Sequence, residues 1–485
     1  MGIYKKLFKD TLIYGFATML PRLIGVIMVP YHIKWMNNEA VYGSYSVMFS
    51  WIMILNAFLS FGMETAFFRF FNKIEDKEKV KSNALWFVLL LSCFAGVILF
   101  GATDFIADYL RVSPELIRIL SGILLLDAWV VIPFAMIRAI GQSKKYAIIK
   151  MCNVIINALL TVLFLYFFPK WSANDWFSGW YIPDFQVEYV YLANLLASAF
   201  TFVVLIPIYK NLRNKIDTSL MKEMLMYAFP VMVASISFAI NEGIDRFMIE
   251  RLLPSDISQA EAGKYAACYK IGIFMILFRT MYSLGIEPFF FNYAKNEDAP
   301  VKYATVTKYF VLFGSVAMLV IIVLANFLKP ILISKPQYWS AMSIVPMVIL
   351  ANLLLGIYTN LSVWYKLQDK TYIGAILSLG AAFFTIGLNL VLIPMIGIDG
   401  AALTTLIVYF LMSFASYYLG QKYYPIPYSK DIFVYLGGSV LLSFVHFYVF
   451  RENYWIGGLF VLAFVGLIYQ KEKKILIQLI KKLKR

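Results

Sequence analysis

Histidine and cysteine are almost absent: 485 residues hold two of the first, His32 and His446, and three of the second, Cys93, Cys152 and Cys268. All three cysteines fall inside apolar stretches, so there is neither a disulfide framework nor a metal-ligand spacing. The histidines stand alone near the ends of apolar segments and read as interfacial. No Walker-type phosphate loop occurs, which argues against ATP hydrolysis by this chain. HExxH and GxSxG are missing too, so the chain is not expected to be an enzyme, and no cofactor or metal is expected. Charge is also scarce, at 15% of residues. A soluble protein of this length needs far more polar surface to cover its core.

What fills the chain instead is long apolar runs: 61% of residues are hydrophobic and the mean hydropathy is +0.74. Crossing a hydrocarbon layer takes about 20 mostly apolar residues as a helix, whose backbone bonds itself. Stretches such as 83–101 and 310–327 meet that test, and the chain reads as an all-α polytopic membrane protein with about fourteen transmembrane helices. The expected spans are 11–33, 42–65, 83–103, 115–137, 146–168, 188–209, 223–247, 264–290, 307–327, 341–363, 371–394, 398–420, 431–450 and 454–470. The apolar stretch beginning near Thr11 lacks a small-residue cleavage pattern and reads as the first span rather than a signal peptide.

The net charge of +15 invites a nucleic-acid reading, but its distribution points to topology and no nucleic-acid partner is expected. With the N-terminus inside, about 30 of the 43 basic residues fall in alternate, cytoplasmic segments, as the positive-inside rule demands. Among these segments are 69–81, 138–150, 210–222 and 295–308. Both termini are then cytoplasmic. The longest outer loop, 169–188, carries Trp171, Trp176 and Trp180, which read as an interfacial cap. The tail, 471–485, spaces Lys among Ile and Leu as a basic amphipathic helix on the anionic inner leaflet.

Three short matches recur in order. Leu12–Phe16 echoes Leu225–Phe229, Gly43-Ser44-Tyr45 echoes Gly263-Lys264-Tyr265, and Gln142-x-Lys144-x-Tyr146 echoes Gln368-x-Lys370-x-Tyr372. Six spans separate the copies, so the halves share one orientation, the parallel repeat of a transporter. The expected divisions are bundles at 1–210 and 211–421, two further spans at 422–470, and the tail.

Several stretches carry a family likeness: Asp10–Gly15, Phe61–Phe70, Asp245-Arg246-Phe247, Glu287-Pro288-Phe289-Phe290 and Gly397-x-Asp399-Gly400-Ala401-Ala402. With them the chain resembles, over nearly its whole length, the polysaccharide exporters of the multidrug/oligosaccharidyl-lipid/polysaccharide (MOP) flippase superfamily. The resemblance implies two six-helix bundles in pseudo-two-fold repeat around a central cavity, with two more helices at the C-terminus. It also implies export of lipid-linked sugar repeat units from the inner to the outer leaflet of a bacterial cytoplasmic membrane.

Charge deep in a span is costly and therefore marks candidate sites. Arg22 lies near the middle of the first span after Pro21, which should kink or loosen the helix. It is a candidate to grip pyrophosphate through its planar fork, or to pair with Asp127 in the fourth span. Lys270 and Arg279, nine residues apart, fall about 180° apart on an ideal helix, so they share no face unless that helix bends. Both are substrate-binding candidates. Asn241, Glu242, Asp245 and Arg246 form a cluster in which Glu242 and Arg246 have i,i+4 spacing. With Asp127 they are candidates for cation coupling, Na+ or H+, or for structural pairing. Glu64, Arg69 and Glu287, at inner span ends, are candidates for a cytoplasmic gate.

The resulting expectation is a flippase for undecaprenyl-pyrophosphate-linked oligosaccharide, with the bilayer, the lipid-linked substrate and polysaccharide assembly proteins as partners. Within the superfamily the rivals are a multidrug–cation antiporter and a peptidoglycan-precursor flippase. Outside it the rival is a membrane polysaccharide polymerase or ligase, against which the short outer loops argue.

Overall fold

Short polar residues between the apolar runs start the helices. Asn38, Asp76, Ser113 and Asp217 each accept a backbone N–H from three residues on, relieving one of the unpaired donors of a first turn. Behind Ser113 stands Pro114, preset for the first helical position. The computed structural model describes residues 2–172, 179, 181–210, 212–213, 216–294, 296–368 and 370–483. The side chains of 2–12, 14, 284, 287, 288, 291, 292 and 474–483 lie outside that description.

Among the described residues there are helices and no strand. The chain divides into two compact units, Met1–Ala266 and Ala267–Arg485. The first unit holds α1 (Gly2–Trp35), α2 (Glu39–Ser60), α3 (Met63–Lys73), α4 (Lys77–Gly101), α5 (Thr103–Leu110) and α6 (Pro114–Ala139). It continues with α7 (Ser143–Val162, extended to Trp171 through a π turn), α8 (Gln186–Leu205), α9 (Thr218–Leu252) and most of α10 (Ser258–Tyr269). The second unit holds α11 (Ile273–Tyr293), α12 (Ala299–Val323), α13 (Ala325–Leu332), α14 (Val345–Leu361) and α15 (Val363–Leu367). It closes with α16 (Thr371–Ile396), α17 (Ile398–Tyr423), α18 (Asp431–Val449) and α19 (Tyr454–Leu483).

Among the described residues thirteen helices are long and apolar enough to cross a membrane, and they coincide with thirteen of the fourteen expected spans. The remaining one, over 264–290, is helical but rewound: α10 tightens into a 3-10 turn at Lys270–Gly272 before α11. The ideal-helix argument that set Lys270 and Arg279 on opposite faces therefore does not apply, because 3-10 winding changes the angle per residue. α1, by contrast, stays helical through both Pro21 and Pro30. Trp176 and Trp180 lie outside the described residues.

Two glycines shape the breaks. Phe61 and Gly62 are both left-handed (φ 50° and 66°), ending α2 so that α3 starts on a new axis. A Cβ on Gly62 would stand 2.6 Å from the Ala228 carbonyl oxygen, so α9 leaves no room for a larger residue. In the Gly397-x-Asp399-Gly400 turn, a Cβ on Gly400 would stand 2.3 Å from the Leu392 carbonyl oxygen. That turn folds α16 back on α17.

The segment before α9 is tied to the start of α4. Asp76 accepts from Arg213 at 2.5 Å, and Lys79 pairs with Asp217. Asn83 and Asp217 exchange two hydrogen bonds of 2.9 and 3.1 Å, and Trp86 donates to the Arg213 carbonyl at 3.0 Å.

Candidate functional site

Small polar side chains on α2, α6, α7 and α8 turn inward in the first unit and enclose a cavity of about 370 Å³. At its centre is Asp127, halfway along α6. Asn56 of α2 donates to Asp127 Oδ2 at 3.2 Å and Ser198 of α8 donates to Oδ1 at 2.8 Å. Asn153 donates to Thr201 at 2.9 Å, and Asn194 completes this wall. Lys150 of α7 faces the same space, its ammonium 4.3 Å from the Phe134 ring centre and electrostatically coupled to Asp127. At one end Glu64 of α3 pairs with Arg138 of α6, whose guanidinium also lies 4.8 Å from the Phe68 ring centre. A carboxylate that accepts from one amide N–H and one hydroxyl keeps further lone pairs with which it can take up a proton or a monovalent cation. Lys150 already supplies one tethered positive charge there. No cluster of His, Cys, Asp and Glu suited to a metal ion exists among the described residues.

The alternative role for Arg22, a pair with Asp127, does not form among the described residues. Asp127 spends its oxygens on Asn56 and Ser198, while Arg22 lies exposed on α1. Three groups of this cavity escaped the sequence reading. Lys150 was counted in the cytoplasmic segment 138–150, yet it lies two turns inside α7. Asn56 and Ser198 carry no charge and so raise no signal in an apolar run.

The α9 cluster is buried against α2. Asp245 is 1% exposed and accepts from the Tyr265 hydroxyl of α10 at 2.6 Å. Among the described residues its other oxygen, Oδ1, has no hydrogen-bond donor. Asn241 and Arg246 are buried too, and Arg246 turns back onto the Glu242 backbone carbonyl at 3.3 Å. Gly243 between them admits Ser50 and Met53 of α2. Arg69 lies over the Tyr227 ring at 4.3 Å. The Glu287 side chain lies outside the described residues.

In the second unit Lys270 opens the 3-10 turn and Arg279 is half-buried on α11. The Arg279 stem runs past Gly356 of α14, where a Cβ would meet Arg279 Cγ at 3.3 Å and the Phe310 ring at 2.4 Å. One turn on from Arg279, Tyr282 donates to Asn360 Oδ1 at 2.8 Å. Lys308 of α12 bonds Glu472 at 2.5 Å and Asp431 at 3.3 Å, fastening α18 and α19 to the unit.

These helices define a multi-pass membrane protein with the fold of MOP-superfamily transporters. Residues 7–277 match the polysaccharide biosynthesis protein family, and the chain belongs to it. No curated protein matches the sequence. Among solved structures the chain is similar to the lipid II flippase MurJ in an inward closed conformation, at 15% identity and a TM-score of 0.73. That match covers 95% of this chain and 99% of the other. An inward-facing multidrug resistance MATE transporter matches at 14% identity and TM-score 0.62, covering 84% of this chain and 94% of its own. A MOP-superfamily transporter from Pyrococcus furiosus, described as having a binding pocket of reverse polarity, matches at 15% identity and TM-score 0.56. It covers 86% of this chain and 94% of its own.

Proposed function

We propose that this chain is a flippase that carries undecaprenyl-pyrophosphate-linked oligosaccharide repeat units from the inner to the outer leaflet of a bacterial cytoplasmic membrane. The observation that carries the reading is family membership over 7–277. The fold match supports it: the lipid II flippase aligns with 95% of the chain, against 84% for the drug transporter. In this mechanism the bundles 1–210 and 211–421 rock by alternating access, with both termini cytoplasmic. Arg22, Lys270 and Arg279 hold the pyrophosphate in a cationic, hydrated central cavity, the lipid tail staying in the bilayer. Asp127, beside Lys150, is the coupling carboxylate for H+ or Na+, and Asp245 with its unbonded Oδ1 is a second. Glu64, paired with Arg138, and Arg69 stand at the cytoplasmic mouth as gate residues. No step calls for bond-breaking chemistry.

The test is deletion of the gene in the native host, followed by separation of lipid-linked sugars by leaflet. Repeat units accumulating on the cytoplasmic face, with loss of surface polysaccharide, uphold the reading. Accumulated lipid II instead supports the peptidoglycan-precursor reading. Unchanged surface polysaccharide with raised drug sensitivity overturns it in favour of the antiporter.

A further inference from the structure

Two stripes of side chains face each other across the cavity of the first unit. Asp127, Val130, Val131 and Phe134 recur at i, i+3, i+4 and i+7, and so share one face of α6. Tyr146 and Lys150 stand one turn apart on α7. The Lys150 ammonium lies 4.3 Å from the Phe134 ring centre, and the Phe134 and Tyr146 rings are 5.4 Å apart, which seats the two stripes against each other. At about 370 Å³ the space lies within the range of small-ligand sites, roughly 300–1,000 Å³.

Each stripe leaves hydrogen-bonding capacity open to the cavity. Asn56 and Ser198 take one lone pair from each Asp127 oxygen, and further lone pairs remain. Lys150 carries three N–H donors and makes no hydrogen bond or ion pair among the described residues. Asp127 and Glu64 act on it as opposite charges and Arg138 as a like one. Along α6, between the carboxylate and the ring that Lys150 covers, stand Val130 and Val131. Val130 and Phe134 are 8% and 6% exposed, so this wall is apolar and firmly packed.

The cavity thus presents an acceptor, a donor and an apolar wall, and that combination selects its occupant. An anion would face two carboxylates, Asp127 and Glu64, the second already paired with Arg138. A drug-sized cation would add a second positive charge beside Lys150. A sugar hydroxyl donates and accepts but sets polar surface against Val130, Val131 and Phe134. An acetamido group matches all three features at once. Its N–H donates to Asp127, its carbonyl accepts from Lys150, and its methyl packs on the valines and the ring. We propose that this cavity binds the acetamido group of a 2-acetamido sugar in the exported repeat unit. The inference rests on the flippase reading, which makes the amide a sugar's. A cation on Asp127 and a sugar amide on it exclude each other, so the coupling role and this one alternate in the transport cycle.

The test uses the full chain in nanodiscs of neutral phosphatidylcholine, titrated calorimetrically with diacetylchitobiose, cellobiose and chitobiose. The three share one skeleton and differ at a single ring carbon, which carries acetamido, hydroxyl and ammonium groups respectively. Diacetylchitobiose should bind at least about tenfold more tightly than cellobiose, which has no amide for the Asp127–Lys150 pair and no methyl for the wall. Lys150→Met should weaken diacetylchitobiose by about tenfold, the scale of one lost charge-assisted hydrogen bond, and erase most of the preference. If Lys150→Met fails to give monodisperse protein, Val131→Ser must weaken diacetylchitobiose while leaving cellobiose unchanged. Equal binding of diacetylchitobiose and cellobiose, no binding of either, or tightest binding of chitobiose overturns the proposal, the last marking a cation site. The two readings fail separately: a wrong flippase assignment shows in the leaflet separation, whereas a failed titration beside an upheld separation removes only the acetamido site.

Discussion

Gly43 and Gly263 lie backbone to backbone. A Cβ on Gly43 would stand 2.0 Å from the Gln259 carbonyl oxygen, and one on Gly263 would stand 2.0 Å from that of Glu39. The first turns of α2 and α10 thus touch through the one residue type that lets two helices approach this closely. The same glycines lead two of the matched repeat segments, Gly43-Ser44-Tyr45 and Gly263-Lys264-Tyr265.

Either glycine replaced by alanine should force α2 and α10 apart, because the obstacle is backbone and not a movable side chain. Overpacking of this kind costs about 1–3 kcal/mol. Gly43→Ala and Gly263→Ala should each lower the melting temperature of detergent-purified protein. The double variant should cost clearly less than the sum, since one separation relieves both clashes. Strict additivity would show that the two positions do not share a contact.

Asp127 should behave as the acceptor of its cavity. Asp127→Ala leaves the Asn56 amide and the Ser198 hydroxyl without their partner and Lys150 without its nearest countercharge. Each orphaned donor costs about 1–3 kcal/mol. Asp127→Asn keeps an oxygen for Ser198 and should lose less stability while still abolishing any dependence of transport on a cation gradient. Lys150→Met added to Asp127→Ala should restore part of the loss, as removal of an uncompensated charge does. Melting curves for the four proteins, with gradient-driven flipping in proteoliposomes, decide both points.

Much of this was legible from the chain alone, and the limits are physical. Apolar length and basic loops placed thirteen helices, because hydrophobic thickness is a strong one-dimensional constraint. Asp127 was legible because an acid in mid-span is rare. Its partners were not: Asn56 and Ser198 cost little in a helix, and Lys150 sits close enough to a span end to pass for a loop residue. Nor could hydropathy see the 3-10 turn at Lys270, where backbone winding and not composition changes. Arg451 and Asn326 come together only through the packing of segments more than a hundred residues apart in sequence.

The tie before α9 should loosen in acid. The hydrogen bond from Arg213 holds the Asp76 carboxyl below its ordinary value of 3.8, and the bond from Lys79 does the same for Asp217. A carboxyl depressed on folding contributes stability that is fully present above its unfolded value. That contribution is lost as pH falls below 3.8 and through the lowered folded values. Amide exchange at Arg213 and Asp217, corrected for intrinsic rates, should therefore be slow at pH 6 and speed up below about pH 4. Asp76→Asn should speed exchange at pH 6 and flatten the profile. A wild-type profile already flat across this range would remove the tie.

Lys308 should hold the last two helices in place. It is the cation between Glu472, 4% exposed, and Asp431, and Glu472 also accepts from the Tyr435 hydroxyl at 2.5 Å. Lys308→Met leaves two carboxylates facing each other with only Lys471 on Asp431, at 2.9 Å, to compensate. Breaking a buried pair from one side costs roughly 3–5 kcal/mol, and the partial exposure of Asp431 sets the expectation at the low end, about 3 kcal/mol. The strain falls on the contact of α12 with α18 and α19, so limited proteolysis should cut the connection at 424–430 in the variant before it cuts wild type. Adding Glu472→Gln removes the orphaned charge while keeping an acceptor for Tyr435, and it should return most of the protection. Equal proteolysis of Lys308→Met and wild type would mean that apolar packing alone fastens these helices.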